Sequence, residues 1–525
     1  MNLPKLWILS VLLFAACDDT LKHMDIAGRE SVMTYVSEFN ETDEELYVNA
    51  FPNDSAAGFL NENIPVFDCP DQELEKTYFF RWWTYRKHLR NTPEGYVVTE
   101  FLPDVKWAGK YNVINCPAVH HFREGRWLRN PQYLSDYVKY WCREKDRAGR
   151  YSCPMSHAVW EFHKVCPDHE LIKTAYPALK EIYANWEEKH WDEQAGLYWQ
   201  KDWRDGMEIS VSGTLCDDGT GYRTTINSYM YADAAALAQM AEMLGERTDA
   251  EIYKAKAEKL KTAINEKLWD EQARFYMVIP RHRDMSFSHV RELHGYVPWI
   301  FDIPGNDRYD AWAHLSDTTG FKAPFGPTTA EQRCAEFKVS YEGHVCQWNG
   351  PSWPFATSQT LTAIAGILHG NVENEYLTKD IYLETLRTYS ASHRRVNENG
   401  DTICWIDENI DPYTGEWISR KMLMERDSPY YERGKDYNHS TFCDLVISGL
   451  IGIQPQADGS VVIQPLIPED EWDWFSLSHV RCAGREISVV YDKTGKHYGC
   501  KPGLNVYVDG RRVVNEDNYN IRVVL

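Results

Sequence analysis

In the stretch WIDENIDPYTGEW, residues 405–417, the carboxylates Asp407, Glu408 and Asp411 stand among aromatic residues. Pro412 and Gly415 keep the segment from being regular helix. A second irregular stretch, WRDGMEISVSG, carries Asp205 and Glu208. Breaking a glycosidic bond needs one carboxylic acid to protonate the leaving oxygen and one carboxylate to activate water or attack carbon. Two loop acids far apart in sequence can do this only if the fold brings them to one pocket. Solvated loops are the alternative, since acids and turn residues are common at surfaces.

Two further stretches share this composition. TEFLPDVKWAGKYNVINCPAVHHFREGRWLRN holds Glu100, Trp107, His120, His121, Glu124, Arg126 and Trp127; CQWNGPSWPF holds Trp348, Asn349 and Trp353. Flat rings suit sugar faces, though Trp also serves as core filler with a polar handle. His120 and His121 diverge as adjacent residues and have no third ligand nearby, so no metal is expected; hydrogen bonds from one His and from Arg126 to sugar hydroxyls fit better. No phosphate-binding, dinucleotide or calcium-loop motif is present, and no cofactor is expected.

These stretches must be held by something, and the sequence supplies helices. From about 76 to 452, segments such as INSYMYADAAALAQMAEMLG and SWPFATSQTLTAIAGILHG place apolar residues at steps of three and four. Gly245 ends one helix and Asp249 is placed to begin the next, an antiparallel hairpin. A succession of hairpins can close into a toroid with its loops gathered at one end. After GLIGIQP the period becomes two, with Asp509-Gly510 as a turn, which predicts a small antiparallel β-domain. The expected division is 1–17 signal, 18–75 anchor segment and irregular extension, 76–453 helical domain, and 454–525 β-domain.

The net charge of −22 and the lack of any Lys/Arg-rich tract exclude nucleic acid as a natural partner. Lys5, the apolar run Leu6 to Ala16 and then Cys17 are too short to span a bilayer and suit a secretory signal. LFAAC resembles the lipobox of bacterial lipoproteins, which implies cleavage before Cys17 and a lipid on its sulfur. Asp18 and Asp19 resemble the export signal of outer-membrane surface lipoproteins; membrane contact would be through the lipid anchor only. The remaining cysteines show no C-x-x-C or zinc spacing, and their pairing is open. No oligomeric state can be read.

ENIDPYTG followed by YNHSTFCDLVISGLIGI, together with WNGPSWPF and GMEIS, resembles motifs of glycoside hydrolase family 63 and the mannosylglycerate hydrolase-like proteins. The resemblance implies an (α/α)6 toroid barrel, mainly α, and an inverting, exo-acting hydrolase of α-linkages in an oligosaccharide or polysaccharide. By the same resemblance Glu208 would be the general acid and Glu408 the general base. Trp348, Asn349 and Trp353 would line the subsite of the departing ring. Trp107, His120, His121, Glu124, Arg126, Trp127, Asp205 and His439 complete the expected substrate-binding set, with Asp407 and Asp411 as support or facing solvent. Many relatives have Asp where position 208 is Glu, which leaves Asp205 as a rival acid. The charged insert RKMLMERDSPYYERGKD offers Glu432 and Asp436 as a supporting pair or a rival base. Two other functions use the same residues: a carbohydrate-binding surface lipoprotein without catalysis, and an epimerase or lyase on the same toroid. Net negative charge weighs against a polyanionic lyase substrate.

Overall fold

The computed structural model describes residue 21 and residues 28–215, 219–281, 284–305, 307–370, 374–516 and 520–525. The expected signal and lipidated Cys17 lie outside the described residues. Among those described, no helix is long and apolar enough to cross a membrane.

The body is mainly α, as the three-and-four spacing requires. Helix Thr224–Leu244 is rich in buried alanines, so neighbours can approach on several sides; Gly245, at φ 80°, ends it with its N–H on the Ala241 and Glu242 carbonyls. The next helix, Arg247–Lys267, starts two residues before Asp249. Asp249 does not cap it, because its carboxylate accepts from Lys180 Nζ (2.6 Å) and Tyr176 Oη (3.0 Å) on the neighbouring helix His169–His190.

Packing runs from helix to helix in chain order. Ala118–Gly125 packs on Met155–Val165, that on Thr224–Leu244, that on the turn Val297–Ile300, that on Pro354–His369, and that on the π-helical turn Leu445–Leu450. Glu124, on the first of these helices, reaches the start of the last. Its carboxylate accepts from Thr441 Oγ1 (2.7 Å) and from the N–H groups of Phe442 (2.8 Å), Cys443 (2.9 Å) and Asp444 (2.7 Å). These are donors a helix N-terminus leaves unpaired. Further helices lie against this series: Arg247–Lys267 on Thr224–Leu244, and Lys379–Ala391 on both Pro354–His369 and Gln72–Lys87.

The stretch 18–75, expected to be irregular, instead holds a helix through residues 28–41, helix Ala56–Asn63 and strand Val66–Asp68. Val32, Val36 and Phe39 form a stripe at steps of four and three, and Phe39 meets Phe80 at 5.4 Å and Trp83 at 5.9 Å between ring centroids. The chain ends in antiparallel sheets. One has the order Val66–Asp68, Trp474–Cys482, Arg485–Asp492, Gly503–Val508, Arg511–Glu516; the other Ile453–Pro455, Ser460–Ile463, Ile521–Val524. Asp509 and Gly510, both at positive φ (47° and 76°), make the expected turn.

Candidate active site

Glu208 sits on a loop built around a buried ion pair. Asp205, fully buried, accepts from Arg223 Nε (2.8 Å), Thr225 Oγ1 (2.6 Å) and Gln200 Nε2 (3.1 Å). Arg223 also donates to Ser212 Oγ (3.0 Å), so one guanidinium ties both ends of the loop. Between these ties, Gly206 (φ 76°) and Ile209 (φ 60°) turn the backbone and leave Glu208 at the bend. Trp348 N–H donates to the Glu208 carbonyl at 3.1 Å. Burial pushes the Glu208 carboxyl up to about 7, and the charges of Asp202, Asp205 and Glu408 add to that rise.

Glu408 is held by its neighbours on both sides. Ser352 and Ile410 exchange backbone hydrogen bonds (3.0 and 2.9 Å), which docks the segment on the WNGPSWPF stretch. Asn409 donates to the Val345 carbonyl (3.1 Å) and accepts from Ser419 N–H (2.9 Å) and Oγ (2.8 Å). Asp407 Oδ1 accepts the Glu408 N–H at 2.8 Å, and burial pushes its own carboxyl up to about 7 against the opposing Arg420 charge. Asp411 shapes the following turn, accepting from the N–H groups of Tyr413 (2.9 Å) and Thr414 (3.2 Å) and from Tyr341 Oη (2.9 Å). Of the three acids, Glu408 alone lines the cavity described next, and its carboxylate faces Arg433 Nη2 at 2.7 Å.

Glu208 and Glu408 open onto one cavity of about 270 Å³. Trp348 and Trp353 stack on each other in its wall (centroids 4.4 Å, 14° between planes), and Trp353 Nε1 donates to the Gln347 carbonyl at 2.8 Å. Trp107 and His439 line it as well. His439 lies 3.9 Å from the Tyr437 ring and 3.2 Å by Nε2 from the Glu408 carbonyl; burial first, then Arg81, pushes its pKa well down, so the imidazole is neutral. A third acid, Glu100, also lines the cavity. Tyr437 Oη donates to it at 2.5 Å; burial pushes its carboxyl up to about 8, with the charges of Glu408 and Glu208 outweighing Arg433.

Other expected binding residues lie outside this lining, each for a reason visible in its contacts. Glu124 caps a helix. Arg126 pairs with Asp444 (2.7 Å) and Glu161 (3.0 Å), and Trp127 Nε1 donates to Asp444 Oδ1 (2.7 Å). His121 is fixed between Tyr137 Oη (3.1 Å) and the Asn438 carbonyl (2.7 Å). His120 packs its ring edge-on against Phe355 at 4.7 Å, Asn349 is tied by its backbone carbonyl to Lys338 N–H (2.9 Å), and Asp205 is spent on Arg223. The two rivals for the base also point elsewhere: Glu432 pairs with Arg420 (2.5 Å) and Asp436 with Lys87 (2.5 Å). Sequence reasoning gave no role to Glu100 and passed over Tyr151, Phe355, Cys116, Cys346, Arg433 and Tyr437, all in the lining. Glu100, Cys116, Cys346, Phe355 and Tyr437 stand within the stretches quoted from the sequence and Arg433 within the charged insert, so their neighbourhoods carried the signal.

Among the described residues, one group brings three metal-ligating atoms within 4.8 Å of each other: His289, Cys334 and Glu336, on the surface and outside the cavity lining. His120 and His121 take no part in it. All eleven described cysteines are free thiols.

Comparison with known proteins points the same way. The mannosylglycerate hydrolase MGH1-like glycoside hydrolase domain matches residues 110–440. A solved structure described as a sialidase is 36% identical, with a TM-score of 0.85, over 94% of this chain and 44% of that one. An uncharacterized protein of Borreliella burgdorferi is 23% identical over 239 residues, 44% of this chain and 46% of that protein. The chain therefore spans less than half the length of either. The glycoside hydrolase family 63 mannosylglycerate hydrolase of Thermus thermophilus, solved with Tris, shares the fold at a TM-score of 0.50 and 12% identity, over 67% of this chain and all of that one.

Proposed function

The chain belongs to the mannosylglycerate hydrolase MGH1-like glycoside hydrolase family, and from that premise we propose that it is an inverting, exo-acting glycosidase with Glu208 as general acid and Glu408 as general base. The observation that carries the reading is the unlike setting of two carboxylates on one cavity. Glu208 is raised to about 7 and so holds its proton near neutrality, while Glu408 lies against a guanidinium. Water held by Glu408 attacks the anomeric carbon as the bond to the leaving oxygen breaks. The water proton passes to Glu408, and the Glu208 proton passes to the departing oxygen.

The series of six packed helical segments, returned to its start by Glu124, is read as the inner ring of an (α/α)6 toroid, with the C-terminal strands from Ile453 onward, joined by Val66–Asp68, as the β-domain beside it. A cavity of about 270 Å³ falls below the roughly 300–1,000 Å³ of drug-sized sites, which suits one terminal ring more than an internal stretch of polysaccharide. That ring is neutral in this reading. Among the described residues lining the cavity there are three carboxyls, and Arg433 is engaged by Glu408. A sialic acid or uronate would bring a carboxylate to a lining whose one Lys or Arg side chain among the described residues, Arg433, already faces Glu408. The apolar run ending at Cys17 supports export and lipid anchoring on the bacterial outer membrane; the mass of mature protein from native membranes, with acyl chains on Cys17, is the check. An unmodified soluble chain would refute it.

The test is a panel of neutral and acidic oligosaccharides incubated with the parent and with Glu208→Gln, Glu408→Gln and Glu100→Gln, the anomer released being read by NMR. Release of a single inverted monosaccharide by the parent, lost in the first two variants, supports the reading. Retention of configuration, or binding without cleavage, sinks it.

A further inference from the structure

Residues 28–68 precede the part of the chain matched to the family, yet they reach the segment that faces the catalytic base. Along residues 433–439 the side chains divide into two groups. Arg433, Tyr437 and His439 line the cavity, where they meet Glu408, Glu100 and the Glu408 carbonyl. Lys435 and Asp436 point the other way into a buried cluster. Lys435 Nζ lies 2.6 Å from Asp43 Oδ1, Lys87 Nζ lies 2.9 Å from Asp43 Oδ2, and the same Lys87 lies 2.5 Å from Asp436 Oδ2. The four charges balance, and none of the four side chains is more than 7% exposed. Asp43 is further fixed by Asn53 Nδ2 at 2.8 Å. Burial alone would raise its carboxyl; the Lys87 and Lys435 ammonium groups reverse that and hold it well below the usual carboxylate range.

Asp436 has φ 57°, a left-handed backbone that is uncommon outside glycine and that Asp adopts more readily than most residues. Here the restraints are the Lys87 ammonium on its carboxylate and the His88 ring on its carbonyl, Nε2 to oxygen 2.7 Å. The next residue is Tyr437.

We propose that Asp43 is a positioning residue of the active site: through Lys435 and Lys87 it locks residues 433–439 so that Arg433, Tyr437 and His439 hold their places around Glu408 and Glu100. The N-terminal segment is then a working part of the catalytic unit. The role given to Glu408 rests on the function proposed above; the locking itself does not.

The experiment is hydrogen–deuterium exchange on the full chain for Asp43→Asn and for Asp43→Asn/Lys435→Met. The single variant leaves two buried lysines facing one carboxylate, and the double variant restores charge balance. Amides of 432–439 are expected to exchange at least about tenfold faster in the single variant, to recover part of their protection in the double, and helices 169–190 and 224–244 are expected to stay unchanged. Unchanged exchange at 432–439, or equal loosening of all the helices, overturns the proposal. Because the readout needs no substrate, it stands or falls apart from any finding about glycan cleavage. Where a substrate is in hand, the single variant should lower kcat with KM within about threefold.

Discussion

Replacing Glu208 by Gln removes the proton donor while keeping the side chain's shape. A carboxyl at about 7 is roughly 90% protonated at pH 6, whereas one at the ordinary 4.5 is roughly 3% protonated, so burial and the neighbouring acids together supply about thirtyfold more of the acid form. The acid form is lost as pH rises through about 7, so the parent's kcat/KM should fall on that side with a midpoint near 7. The Gln variant should lose about 10²- to 10⁴-fold on an unactivated glycan, or about 2.7–5.4 kcal/mol of barrier. It should also lose the alkaline limb. With a glycosyl fluoride, whose leaving group departs without a proton, parent and variant should react within about tenfold of each other. The assay is steady-state hydrolysis of both substrates from pH 4 to 9. A variant that cuts the unactivated glycan within about tenfold of the parent and keeps its limb near 7 would refute the assignment and turn attention to Glu100, whose carboxyl is raised to about 8.

Glu408→Gln should lower turnover by at least about a hundredfold with an unchanged circular dichroism spectrum, and near-normal activity would rule it out as the base. A methyl at Gly434 would collide with the Asp407 carboxylate that holds the Glu408 N–H. Gly434→Ala should therefore cost about 1–3 kcal/mol in thermal unfolding and about a hundredfold in kcat; a neutral substitution would show that Asp407 is free to move. Ile209 pays for a left-handed backbone beside the acid (φ 60°). Ile209→Gly removes a strain of about 1–2 kcal/mol and adds about 0.5–1 kcal/mol of chain entropy, so thermal unfolding should rise slightly, and a clear fall would mean that the side chain's contacts outweigh the strain.

The helical body was legible because its period repeats, and the terminal sheets because the period changes. Glu208 and Glu408 were legible as candidates because acids, aromatics and turn residues coincide in WRDGMEISVSG and WIDENIDPYTGEW. The same composition misled in HHFREGRW. Glu124 and Arg126 are as buried and polar as active-site residues, but their partners, Thr441 and Asp444, stand 317 and 318 residues away. Local sequence cannot tell a carboxylate that caps a distant helix from one that faces a cavity. Glu100 was named without a role and Arg433 was passed over for the complementary reason: their places in the cavity are set by Tyr437 and Glu408, and no spacing rule links them. The early helix through 28–41 has a real stripe, diluted by the Glu, Ser and Thr between its apolar positions.

The short strand Val66–Asp68 forms one edge of the sheet whose next strand is Trp474–Cys482, with Val66 opposite Ser478, 412 residues further on. That pairing sets a clock. At about 5–20 residues per second, the ribosome takes on the order of 20–80 s to deliver the partner of a strand it has already made. Throughout that interval Val66 and Phe67 have no sheet to join, and the Asp43–Lys87 pair lacks the Lys435 and Asp436 that complete its buried cluster. Residues 43–68, made long before their partners, are thus among the last to settle. A nascent or truncated chain lacking residues 435–482 should therefore be a client for chaperones and proteases, even where its central helices have already packed.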